Sequence, residues 1–204
     1  MRKIVLQGRA FHHYPEAGYA VGVTFQQSNM PSGTQQERAE YYSATHKLHC
    51  YKTKLSVIPT GLCINCSSHY RGSATDITIF RDNKGFHQAA ATKSPSEENM
   101  ADDGPLHDQY PGSWTILADK GYQGLADSYC VLHPKRRHPM ASLTLEEEET
   151  NRSISTDRIT IENYFGRIWT LWAVASDNYR WQEKKYETIF RACVALTNVQ
   201  IHVT

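Results

Sequence analysis

No stretch of 18 consecutive apolar residues occurs anywhere in the 204 residues, so the sequence offers no hydrophobic membrane-spanning helix. The amino-terminal MRKIVLQGRAFHHYPEAGYA starts with basic Arg2 and Lys3 but lacks the continuous apolar segment of a secretory signal. A nuclear or cytoplasmic protein is expected. Net charge is almost absent as well: 22 Lys and Arg against 21 Asp and Glu leave +1. A global positive field for nucleic acid is therefore missing, and any such role needs a local patch. Cysteine is scarce and scattered. Five residues, Cys50, Cys63, Cys66, Cys130 and Cys193, form no disulfide framework, and reduced thiols are expected. Cys63-x-x-Cys66 followed by His69 has a zinc-like spacing, but no second pair of Cys or His completes four ligands. The pair also lies in the strand-like LCINCSS, where positions three apart face opposite ways, so core cysteines are expected. Internal repeats and any boundary between two cores are lacking too. One domain over 19–204, preceded by an irregular lead-in over 1–18, is the simplest reading.

What is present alternates between strand and helix patterns. Tyr19–Gln27 and Lys47–Ile58 have the β-branched and aromatic composition of strands. Pro59-Thr60-Gly61 turns the second of these into Leu62–Ser67 as a hairpin. SATDITIFRDNKG reads as a helix carrying Ile77, Ile79 and Phe80, closed by Gly85. Between Gln88 and Gly112, Ser, Glu, Asp, Pro and Gly dominate and apolar periodicity vanishes, which predicts a flexible insertion. Trp114–Ala118 is a short buried strand with Trp114, Ile116 and Ala118 on one face. It delivers Asp119 at its carboxyl end, where Gly121 and Gly124 turn the chain away. Reacting groups gather at such strand ends in α/β sheets. Ser128–Leu132 is a further strand, Pro134–Pro139 a basic turn, and Thr144–Arg152 a short acidic helix with a solvated face. Asp157–Trp172 is the clearest helix, with Ile161, Tyr164, Phe165, Ile168 and Trp172 as its buried stripe. Glu162 borders that stripe, where a carboxylate costs solvation energy unless a cation offsets it. Glu183–Val203 is a last helix, expected to bury Tyr186, Ile189, Phe190, Val194 and Leu196. This order predicts a ribonuclease-H-like α/β fold, a mixed sheet flanked by helices.

Four runs, HKLHCYK, HYRGSATDITIF, ILADKGYQG and RITIENYFGRI, resemble the DDE superfamily endonuclease domain of Harbinger-type transposases and their domesticated nuclease relatives. The likeness covers roughly residues 17–200. It implies a metal-dependent DNA endonuclease in which three carboxylates hold divalent cations, Mg²⁺ or Mn²⁺. The second acid maps to Asp119 and the third to Glu162. The first belongs in YAVGVTFQ, where the resemblance puts Gly22 in its place. Asp76, in the Gly-Ser-x-x-Asp run, is a further acid that could join Asp119 and Glu162 around one metal; the bland alternative is a helix-start residue favoured by the helix dipole. Losing an acid worth about 4 kcal/mol in the transition state slows a reaction about a thousandfold. Impaired activity is therefore expected, and the rival is an inactive, domesticated or decayed domain serving as a metal-binding or protein-interaction module. Relatives carry a helical DNA-binding region ahead of the first strand, and only about 18 residues stand there here. DNA binding is expected to be weak and non-specific alone, with sequence reading left to a separate DNA-binding protein. The Lys135–His138 cluster is either a contact to phosphate backbone or a solvated turn.

Overall fold

The computed structural model describes residues 8–137 and 142–203. The two long β-rich segments lie side by side at its centre: β1 (Ala17–Gln27) pairs antiparallel with β3 (Leu48–Val57), Gly22 opposite Leu55. Short strands β2 (Tyr42–Ser43), β4 (Cys63–Cys66) and β5 (Tyr70–Arg71) all pair with β3. On the other flank β6 (Thr115–Leu117) runs parallel to β1, and β7 (Val131–Leu132) runs parallel to β6. The result is a seven-stranded mixed sheet whose main path is β2-β3-β1-β6-β7.

The strand period of two sorts β1 between two layers. Tyr19 and Val21 face Phe80 of α2 (Asp76–Asp82), Ala91 of α3 (Lys84–Ala91), and Tyr122 and Leu125 after β6. Ala20 faces the opposite way with Leu55, Val57 and Leu117. That face is covered by Ile161, Tyr164, Phe165 and Ile168 of α4 (Leu145–Leu171), and by Tyr186, Phe190 and Val194 of α6 (Glu183–Val203). Two small helices, α1 (Gln35–Tyr41) and α5 (Ala173–Ser176), complete the set. A mixed sheet flanked by helices is what the sequence predicts, and it fits a ribonuclease-H-like α/β fold.

Several elements depart from expectation. The acidic helix and the amphipathic helix are one, the 27-residue α4. The Ser-Thr-rich junction does not break it, because the hydroxyls of Ser155 and Thr156 donate to the carbonyls of Asn151 and Arg152 and Ile154 is fully buried. Gly85 sits inside α3 rather than closing α2, and residues 88–91 are helical. Leu196 is half-exposed, not buried. The α6 stripe runs through Tyr186, Phe190, Cys193, Val194 and Thr197, and Leu196 lies off it. The lead-in is tied down: the backbone N–H groups of His12, His13 and Tyr14 donate to the buried Asp157 carboxylate of α4, and Phe11 joins the core. His138 and Pro139 of the basic turn lie outside the described residues. Burial pushes the Cys63 and Cys66 thiols up to about 11 and about 12, so both are neutral. No described helix is long and apolar enough to cross a membrane.

Candidate active site

The parallel pairing of β1 with β6 stops at Ala20 and Leu117. Beyond it the chain turns off through Asp119 into a single 3-10 turn, Lys120–Tyr122, while β1 runs on unaccompanied by β6 until Ser28 bridges Tyr179. A notch forms at the carboxyl end of β6. Asp119 is the cap of the turn, its Oδ1 accepting from the Gly121 N–H at 2.6 Å.

Asp76 enters the same place from the other side of the turn, at the first position of α2, after Thr75 has capped the helix through the Thr78 N–H. The approach to α2 depends on Gly72, where a Cβ would stand 2.2 Å from the Tyr41 carbonyl oxygen. Only glycine fits so close to another strand of backbone. Gly121 has the same role between the two acids: a Cβ there would lie 2.9 Å from Asp119 Oδ1 and 3.2 Å from Asp76 Oδ2. Two atoms that close to one point are within about 6 Å of each other. Burial raises the Asp76 carboxyl above the usual range, the Asp119 charge raises it further, and Lys52 partly offsets both. Lys52 is itself buried, its ammonium donating to the Ala74 carbonyl at 2.8 Å. A like charge nearby disfavours the ionised form of Asp76, and a cation between the two acids would relieve that repulsion.

Glu162 does not join them. Its side chain is 60% exposed on α4 and sits 3.7 Å from the Arg158 guanidinium one turn earlier. Arg158 is the residue that fills the notch. It is almost buried, it reaches the Val21 carbonyl at 3.4 Å, and its Nε has no hydrogen-bond partner. The fully buried Tyr122 hydroxyl is also unpartnered and feels Asp76, Asp119 and Arg158 together. Among the described residues, no three His, Cys, Asp or Glu side chains come together as metal ligands.

Position 22, where the resemblance expects a first acid, faces away from the carboxylates. A Cβ at Gly22 would meet Ile161 Cδ1 at 3.1 Å and the Phe165 ring at 3.2 Å, so position 22 looks into the apolar contact with α4. Val21 and Val23 face the layer that carries Asp76 and Tyr122. No residue of β1, AGYAVGVTFQQ, is acidic on either face.

Alongside Asp119 runs a groove of about 570 Å³ whose walls carry Lys120, Lys135, Arg136, Arg137 and Arg158. Asn151 of α4 holds its basic loop in place, accepting from the Lys135 N–H at 2.7 Å and donating to the Lys135 carbonyl at 3.0 Å. Lys135 pairs with Glu147 at 3.1 Å. Lys120, Arg136 and Arg137 have no ion pair among the described residues and point their charge at solvent. The strand end and its glycine turn pointed to Asp119 and the resemblance added Asp76; the sequence reading missed Arg158, Tyr122, Lys52 and Asn151. The Arg-x-x-x-Glu spacing on a helix was the available signal for Arg158, since residues four apart share a face.

A family model described as DDE superfamily endonuclease matches residues 22–198. No curated protein and no solved structure matches the chain.

Proposed function

The chain belongs to the DDE superfamily endonuclease family, and on that premise we propose that it is a transposase-derived, divalent-metal-dependent DNA endonuclease domain of Harbinger type with impaired turnover. The observation that carries this reading is the Asp76–Asp119 pair across Gly121, set beside a groove with five cationic side chains. Asp76 and Asp119 are hard oxygen donors within about 6 Å of each other across Gly121, and Mg²⁺ or Mn²⁺ is commonly held by one or two carboxylates with water and substrate phosphate completing its shell. When bound, such a cation polarises a phosphodiester and lowers the pKa of its water. The groove cations hold the DNA backbone, and Arg158 adds a positive charge in the notch. Glu162 is the candidate third acid, and its carboxylate is engaged by Arg158. A second reading is an inactive, domesticated domain that keeps the cationic groove without the chemistry. The acid-free β1 and the guanidinium lodged in the notch favour it.

Plasmid nicking in Mg²⁺ or Mn²⁺ separates the two. The endonuclease reading expects slow nicking by the native chain, its loss in chelator, and a drop of a hundredfold or more in Asp119→Asn. Val21→Asp is expected to speed nicking and to give a metal-dependent rise in melting temperature. Gly22→Asp is expected to do neither and to cost several kcal/mol, because it buries a carboxylate against Ile161 and Phe165. Absence of nicking in both the native chain and Val21→Asp leaves the non-catalytic reading standing.

A further inference from the structure

The Asp76–Asp119 pair lies between two cavities. The cationic groove is on one side. On the other is a separate pocket of about 380 Å³ that shares Asp76 and Gly121 with the carboxylate site. Its lining differs in chemistry. Where the groove presents five cations, the pocket presents the hydroxyls of Thr45, Ser73 and Thr75, the single buried cation Lys52, and the ring of Tyr42. Tyr42 is 40% exposed on the edge strand β2, braced by an edge contact with His49 at 5.4 Å between ring centres.

We infer that this pocket is a subsite for one unpaired nucleotide next to the phosphodiester held at Asp76 and Asp119. The inference rests on the reading of that pair as a phosphodiester site. Three features of the pocket carry it. Its volume falls at the small end of ligand sites and takes one nucleotide. Its exposed ring suits an unstacked base, since single-stranded bases are held on aromatic faces without sequence preference. The hydroxyls of Thr45 and Ser73 both donate and accept, so they satisfy a base edge or a sugar hydroxyl without discriminating. Backbone phosphates lie in the cationic groove, and the strand crosses Gly121, whose missing side chain leaves the path between the acids clear. The next nucleotide then leaves the duplex and enters the pocket.

The test uses the full chain and two DNA probes that carry 2-aminopurine, one with the fluorescent base in a single-nucleotide overhang and one fully paired. The overhang probe is expected to bind about tenfold tighter, the size of one base–aromatic stack, and its emission is expected to change on binding. Tyr42→Ala should abolish both differences while duplex binding, read by anisotropy, holds within twofold. Ala44→Trp, which fills the pocket mouth, should do the same, and guards against a Tyr42 variant that folds poorly. Equal affinity for the two probes, or an unchanged emission response in both variants, overturns the subsite. The double variant Arg136→Ala, Arg137→Ala separates this from the premise. If it leaves duplex binding intact, the groove reading itself fails; if duplex binding falls and the overhang base stays silent, the subsite alone fails.

Discussion

Lys54 has a fully buried side chain in the layer above β1 and β3, and its amine meets not a carboxylate but a ring nitrogen, His87 Nε2 at 2.6 Å. His87 Nδ1 meets the Tyr19 hydroxyl at 2.9 Å, and Phe80 stacks on the imidazole at 3.8 Å between centres. With no acid to pair it, burial pushes the Lys54 ammonium down to about 7 from 10.5 and the imidazole down to about 2. The unfolded chain therefore holds more protons than the folded one between about pH 7 and 10.5. Stability gained from this residue rises with pH through that window and is flat below it, where both states are protonated. Urea unfolding of the native chain and of Lys54→Met is expected to differ by a slope of up to about 1.4 kcal/mol per pH unit across the window. Parallel curves would mean that Lys54 is charged inside the fold or hydrated. Single residues were unevenly legible in the sequence. Asp119 could be placed because a strand and a glycine turn flank it. The side of the strand on which Gly22 stands was not legible, because a pattern match fixes a position to within a residue, and one residue reverses the side of a strand. Lys54 and His87 carried no signal, being polar residues 33 apart that only the tertiary fold brings together.

At the scale of elements, the segment after α3 is the most instructive. Its composition suggests mobility, yet the structure ties it at several points. Lys93 meets Asp102 at 2.5 Å with 1% and 3% of the two side chains exposed, and its amine also donates to the Pro111 carbonyl. Tyr110 donates to the Ala126 carbonyl, and Thr92 bridges to Ser113 just before β6. Removing one partner of a buried pair strands the other charge, at a cost of about 3–5 kcal/mol. Lys93→Met is therefore expected to open the segment locally, and limited proteolysis should cut within 94–111 at least tenfold faster than in the native chain. Equal cutting rates would show that the ion pair does not hold the loop. Composition could not reveal these ties, since each joins polar residues whose partners lie many positions away. The strands and the long amphipathic helix were legible because their periodicity is local and repeated. The continuity of α4 was not, because Ser153, Ser155 and Thr156 look like a break until the hydroxyls of Ser155 and Thr156 find helix carbonyls.

For the whole molecule, the balance of charge and its distribution say different things. A chain of net charge +1 attracts DNA weakly at long range, and what attraction exists is concentrated in one groove. Three of its cations are free of ion pairs and two are engaged by glutamates. The logarithm of DNA affinity is thus expected to fall with the logarithm of salt concentration at a slope between about −3 and −5. A slope near zero would show that the groove does not meet phosphate. The overall architecture was readable from the order of elements, since strand order and helix placement follow from few topological rules. The convergence of Asp76 on Asp119 was suggested by resemblance, but the separation of Glu162 and the occupation of the notch by Arg158 were not, because both depend on side-chain reach across α4. One adjacency in that helix has a consequence for heredity. Asp157 fastens the lead-in and Arg158, the next residue, fills the notch, turned away by a helical step of about 100°. A one-residue insertion or deletion between Arg158 and Ile161 would turn both out of phase with the buried stripe that seats the helix on the sheet. Descendants of this sequence can trade residues at either position one at a time, but they inherit the spacing from this pair to that stripe as a fixed quantity.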